Sequence, residues 1–334
     1  MKIIYIPVTK KIKEKNFKNS ILSFLYDIYT VFKNLFFWRK ISKNTSGYFE
    51  SAIRSNVKVF EIPYNYCIFF SKILNLLFDG IFVNWKFTNN RNDQNLESKL
   101  ILLSKKYNIK KVLFDSRDTG ISKINSDVID VFDHVIKREK NKSIFNNKYL
   151  TTMLPCTLVD YKVSKYKELI DWNTIGKSKP CEKYKYDIFF SGNLTSKNRK
   201  EVIELLKNHN FNFYGGIENS IIPYKQYLAT IYESSINLAL EGKGEFTYRH
   251  LEILASCSFM ICEDSINQIE LPLPLVDEKH FVSFKNTEDL LEKIDFYLKN
   301  KELRHKIAIN GREVLENYYS PKKHGEKILK KIFF

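Results

Sequence analysis

Cysteine is scarce in this chain and carries no pattern. Its five residues, Cys67, Cys156, Cys181, Cys257 and Cys262, are odd in number and include no CxxC pair. That excludes the usual zinc spacings and argues against a disulfide framework, so a reduced, cytoplasmic compartment is the expectation. No apolar run is long enough to cross a bilayer. The richest stretch, from Ser20 to Trp38, is broken by Asp27, Lys33 and Asn34,. A secretory leader is not expected either, because Ile3–Val8 is too short for one and reads as a first strand. Internal repeats and low-complexity segments are absent. The aromatic signature of an RNA-recognition sheet and a clear helix-turn-helix pattern are missing too, and no nucleic-acid partner is expected.

What is present is a large apolar content with an excess of base. The 334 residues are 44% hydrophobic and 15% aromatic, enough for two packed cores,. Lys and Arg outnumber Asp and Glu by 54 to 38, a net charge of +16. Such a balance suits anionic lipid or phosphorylated substrates, although a Lys-rich composition alone produces the same number. Lys10, Lys11, Lys13, Lys15 and Lys18 precede the aromatic stretch, and Arg39 and Lys40 follow it. A basic amphipathic segment there either packs on its own domain or lies on an anionic membrane surface, as in a peripheral membrane protein.

Short β-branched or aromatic runs alternate with helical patterns along the first half. Ile3–Val8, Val57–Ile62, Ile81–Trp85, Lys111–Asp115 and His134–Lys137 read as strands. Glu97–Tyr107 and Ile121–Phe132 read as helices, and the aromatic stretch Tyr64–Phe78 as core rather than as a lipid-binding surface. The alternation predicts an α/β fold with a parallel sheet covered on both faces. Between Pro155 and Tyr186 the pattern pauses, and a second series begins at Asp187. The expected organisation is an N-terminal Rossmann-like domain over 1–155, a linker over 156–185, a second Rossmann-like domain over 186–319, and a C-terminal helix over 320–334 that packs back on the first. Thr287 and Pro321 mark helix starts, the first by capping and the second by its fixed φ.

The most informative stretch runs from Tyr248 to Ser258 and feeds into the apolar run Phe259–Cys262. Arg249 and Glu252, three apart, share a helix face. Upstream, the strand Ile236–Leu240 opens into the loop Glu241-Gly242-Lys243-Gly244-Glu245. Strand, glycine loop and helix together present backbone N–H groups to a phosphate. The alternative for Arg249 and Glu252 is a surface ion pair of small value. In the first half, Asp115 and Asp118 follow a strand, where open α/β sheets place functional groups. Either could act as general base on an acceptor hydroxyl, or Asp118 could cap the next helix. Arg138 and Glu139 either line the same cleft or form a charged turn, and His134 and His250 read as structural.

Four pieces in order carry a family resemblance: Tyr186–Gly192 followed by Arg199; Phe213-Tyr214-Gly215-Gly216; the block Tyr227–Cys262 with Arg249 and Glu252; and the tail from Glu288 to Arg312. Over roughly 186–331 the chain resembles the C-terminal domain of GT-B glycosyltransferases of the group 1 type. The resemblance implies two Rossmann-like domains facing a cleft, with a nucleotide-sugar donor on the second and an acceptor hydroxyl on the first; the basic charge suggests a saccharide or lipid-linked acceptor, as in surface polysaccharide or glycolipid synthesis. The resemblance also implies that Glu252 binds the ribose hydroxyls and that Gly192, Asn193, Lys243, Gly244 and Glu245 lie near the diphosphate and sugar. Arg199, with Lys243 from the facing loop, would neutralise the leaving diphosphate, with no metal and no further cofactor, and Arg249 could contact the nucleotide. Family members often separate two glutamates by seven residues, whereas six separate Glu245 from Glu252 here; Glu241 is the alternative partner for the sugar. Transfer of another phosphate-linked group, a scaffold without catalysis, and a basic nucleic-acid-binding protein are the competing readings.

Overall fold

The computed structural model describes residues 1–6, 47–85, 95–117, 124–154, 156, 179–193, 197–216 and 222–334. The expected basic segment around 10–40, Asp118 and most of the 156–185 linker lie outside these residues.

The first sheet is built from β1 (Lys2–Ile6), β2 (Lys58–Glu61), β3 (Gly80–Asn84), β4 (Lys110–Asp115), β5 (His134–Lys137) and β7 (Tyr149–Thr151). All neighbours run parallel, in the order β2-β1-β3-β4-β5-β7. Alternation along β1 shows why both faces must be covered. Ile4 and Ile6 join one apolar cluster, whereas Ile3 and Tyr5 join another on the opposite face,. The first face is roofed by α2 (Tyr64–Phe69), α3 (Ser71–Leu77), α4 (Leu96–Lys106) and α5 (Ser126–Asp130). The second is roofed by α1 (Gly47–Arg54) and, from the far end of the chain, by α11 (Pro321–Phe333).

The second sheet contains β8 (Tyr186–Phe190), β9 (Phe213–Gly215), β10 (Ser234–Ala239), β11 (Met260–Glu263) and β13 (Val282–Phe284), again parallel, in the order β13-β11-β10-β8-β9. Its helices are α6 (Lys197–Lys207), α7 (Tyr224–Tyr232), α8 (Tyr248–Ala255), α9 (Thr287–Lys299) and α10 (Lys301–Tyr318). Because β8 has β9 on one side and β10 on the other, the connections leave in opposite directions from that pair. The carboxyl ends of β8 and β10 therefore open a crevice, the place where doubly wound sheets hold ligands.

Several contacts join the domains. Tyr48, Met153, Leu154 and Cys156 enter the apolar cluster under α8, and the Cys156 backbone N–H donates to the Tyr319 hydroxyl at 2.7 Å. A two-stranded antiparallel ribbon pairs β6 (Lys140–Asn141) with β12 (Ile269–Glu270), reinforced by a Lys140–Glu270 ion pair at 2.6 Å. Helix α11 lies against α1 so closely that a Cβ on Gly325 would meet the Ala52 carbonyl oxygen at 2.1 Å. His324 Nε2 also reaches the Thr151 carbonyl at 2.9 Å.

Some local expectations change. Thr287 is the first residue of α9, and the cap is Asn286, whose side chain accepts from the Asp289 N–H at 2.9 Å. Helix α5 starts at Ser126, later than the pattern placed it, behind an Asn125 cap. The stretch Tyr64–Phe78 is only half core: Cys67 and Leu74 are buried, whereas Phe69, Ile73, Leu76 and Leu77 face outward. The strands β6, β7 and β12 are two or three residues long, too short for a period-2 signal to register,.

Candidate active site at the carboxyl edge of the second sheet

Phe190 ends β8 and the turn Ser191-Gly192-Asn193 follows. Arg199 projects from the first turn of α6. It donates to the Asn193 carbonyl at 2.7 Å through Nη1 and to the Leu240 carbonyl at 2.8 Å through Nη2. Arg249 projects from the first turn of α8 and donates to the Ser191 carbonyl. Both guanidiniums lie over the Phe190 ring, at 4.4 Å for Arg249 and 5.5 Å for Arg199. The ring's negative face lets two like charges approach one another out of water. Burial first, and then the Arg249 charge, lower the Arg199 guanidinium to about 10.

A glycine at each loop end lets an arginine side chain approach closely. A Cβ on Gly192 would stand 2.5 Å from Arg249 Nη2, and one on Gly242 would stand 3.2 Å from Arg199 Nη2. Each arginine is thus pressed against a bare backbone. The result is a paired cationic site between β8 and β10, flanked by the N-termini of α6 and α8, whose dipoles add to the positive potential.

Glu252 sits one turn after Arg249 on α8. Its carboxylate accepts from the Tyr224 hydroxyl at 3.0 Å and the Tyr227 hydroxyl at 2.9 Å. Burial raises it above the ordinary carboxylate range, against the pull of Tyr227, Arg249 and Tyr224. A carboxylate has about four acceptor positions, so two further donors can still be received. His250 does different work. Its Nδ1 accepts from the Thr247 N–H at 3.0 Å, closing a capping box at the start of α8, and its ring stacks on Phe246. Burial lowers its imidazole to about 3, so it serves as a neutral cap.

The glycine loop is held from below by a residue that the strand pattern passed over. Glu263, the last residue of β11, accepts from the Glu241 backbone N–H and from Asn198 Nδ2. It ties the loop after β10 to the start of α6, and burial pushes its carboxyl up to about 7. A charged residue ending an apolar strand was the available signal. Phe190, Tyr224 and Tyr227 gave none, since strand-end and helical aromatics read as core. Asn193 and Lys243 are exposed at the rim, while Gly244 is buried and its carbonyl accepts from the Gly242 N–H at 3.1 Å.

Across the cleft, the carboxyl ends of β4 and β5 carry a buried charge cluster. Asp115 receives Arg117 through Nε at 2.8 Å and Nη2 at 3.1 Å, and Lys137 Nζ at 3.2 Å. Burial alone would raise this carboxyl, but the Arg117 hydrogen bonds and the Lys137 and Arg117 charges hold it below its ordinary range. Arg117 in turn lies over Trp85 at 4.7 Å. Glu139 is bridged by its neighbour Arg138 at 2.7 and 2.8 Å and raised by burial. The Glu245 charge, from the loop after β10, raises it further and marks where the two domains face each other. Among the described residues, no group of three or more His, Cys, Asp and Glu side chains is arranged to hold a metal ion.

Residues 198–330 match the family described as glycosyl transferase-like. Among solved structures, the chain is similar to an alpha-glucosyltransferase in complex with UDP and a 13-mer DNA containing a central A:G mismatch. That likeness has 12% identity and a TM-score of 0.54 over 88% of this chain and 96% of the other. It is also similar to Anabaena HepE in complex with UDP, with 10% identity and a TM-score of 0.52 over 99% of each chain. No curated protein matches at the sequence level. The fold is GT-B, two parallel-sheet α/β domains, and the resemblance read from the second half of the sequence to group 1 glycosyltransferases is borne out.

Proposed function

We propose that this GT-B chain is a glycosyltransferase that moves a sugar from a nucleoside diphosphate to an acceptor hydroxyl. The observation that carries the reading is the pair of guanidiniums, Arg199 and Arg249, held over Phe190 at the switch point of the second sheet. Two fixed cations facing glycine backbone suit a diphosphate, whose charge grows as the sugar bond breaks. Arginine charge and helix N-termini would meet that need without a metal ion. Glu252, oriented by Tyr224 and Tyr227, is placed to accept from the two ribose hydroxyls. UDP is the first nucleotide to test, because both solved structures named above contain it.

The acceptor would enter between the domains, against the carboxyl ends of β4 and β5. Asp115 is already engaged by Arg117 and Lys137 and kept ionised, which suits it to fixing Arg117 in the cleft wall. We assign removal of the acceptor proton to Asp118. A saccharide or lipid-linked acceptor, as in surface polysaccharide assembly at the inner face of a membrane, fits the basic surface.

The test is thermal unfolding with UDP, GDP, CDP and their sugar conjugates, on the wild type and on Arg249→Ala and Glu252→Ala. Ligand at a hundred times its dissociation constant adds about 2.7 kcal/mol, so one nucleotide should raise Tm clearly and both substitutions should abolish the rise. Asp118→Asn should keep the shift and lose turnover. No shift with any nucleotide, together with salt-dependent DNA binding, would overturn the reading.

A further inference from the structure

We propose that the outer face of α2 and α3 is a docking surface for an anionic lipid bilayer. These helices carry apolar residues on two sides. Cys67, Ser71 and Leu74 turn inward to the first sheet, but Ile73, Leu76 and Leu77 on α3, at i, i+3 and i+4, face solvent, as does Phe69 at the end of α2,. Their exposures are 55%, 86%, 55% and 76%, far from the isolated surface leucine that needs no explanation,.

The rim of this face is basic. Lys72 is exposed on α3 itself. Asn75 Nδ2 donates to the Lys106 carbonyl at 2.8 Å, which brings the exposed Lys105 and Lys106 alongside. From Tyr64 to Gly80 the single acidic residue is Asp79, and its carboxylate receives the Lys2 N–H at 2.6 Å.

Apolar side chains ringed by lysine match the boundary between acyl chains and anionic headgroups, where aliphatic groups insert and ammonium groups stay wet. A second copy of the chain fits less well, because a twofold contact would set these lysines against one another. The surface lies on the α2–α5 side of the first sheet, away from the paired arginines, and stands independently of the glycosyltransferase reading.

The test is flotation of the full chain with vesicles of equal parts phosphatidylglycerol and phosphatidylcholine, compared with phosphatidylcholine alone. The wild type should float with the anionic vesicles, and Ile73→Glu/Leu76→Glu should bind about tenfold more weakly or worse. Unchanged Tm and nucleotide response in that variant would show that fold and donor site are intact. Should it fail to fold, Lys105→Glu/Lys106→Glu tests the rim instead, with the same loss expected. Flotation that survives both substitutions overturns the proposal, as does a wild type that ignores anionic vesicles. A dimer broken by Ile73→Glu/Leu76→Glu, without vesicle binding, would assign the face to self-association. Vesicle binding without any nucleotide response would leave this surface standing and remove the transferase reading.

Discussion

Glu263 joins three parts of the candidate site through one carboxylate: the glycine loop, the start of α6 and the end of β11. With its folded value near 7 and an ordinary value of 4.5, the native state holds this proton more tightly than the unfolded chain. The contribution is therefore fully present below about pH 4.5 and is lost as pH rises through about 7. Denaturant titrations of the wild type at pH 5 and pH 8 should differ by on the order of 2 kcal/mol more than those of Glu263→Gln. An equal pH dependence in both would remove Glu263 as the cause. Buried neutral histidines act in the opposite direction. His324, lowered to about 4 by burial, and His250, at about 3, cost stability as pH falls below their unfolded value of 6.5. At this scale, legibility in the sequence followed chemistry. Arg199, Arg249 and Glu252 stood out because charged residues beside a glycine loop need a reason. Their aromatic supports, Phe190, Tyr224 and Tyr227, did not, because a ring that orients a charge is spelled like one that fills a core.

Among the elements, long amphipathic helices and buried strands matched the pattern, and the boundaries did not. The start of α9 shows why. Asn286 and Thr287 are both good caps in sequence, and only the backbone decides between them: Asn286 is extended, with φ −149° and ψ 179°, while Thr287 is already helical,. Asn286→Ala should cost about 1 kcal/mol and Thr287→Ala a few tenths, measured by urea unfolding. The reverse order would place the cap at Thr287. The α2–α3 pair escaped for a different reason. Its apolar residues exceed what one helix face can bury, so periodicity alone reports a core segment and misses the side left in solvent.

For the whole molecule, the two-sheet architecture was legible because parallel strands covered on both faces leave near-continuous apolar runs. The ribbon of β6 with β12 was less so, since it depends on residues far apart meeting in space. Crossing of α11 over α1 depends on Gly325, where any side chain would meet the Ala52 carbonyl. Gly325→Ala should lower global stability by several kcal/mol, above the roughly 1–3 kcal/mol of ordinary overpacking, because the obstacle is backbone. A Tm within a degree or two of wild type would mean that the helices separate easily.

That crossing also bears on the order in which the molecule can be made. Ile328, Leu329 and Ile332 complete the apolar cluster formed by Ile3, Tyr5, Phe82 and Phe114. During synthesis the second sheet has all its strands and most of its helices while one side of the first sheet still waits for residues about 320 positions downstream,. The domain begun first is the last to close. Until α11 has left the ribosome, one apolar face of the nascent first domain has, among the described residues, only α1 to shelter it, an interval in which a chaperone would find its binding site.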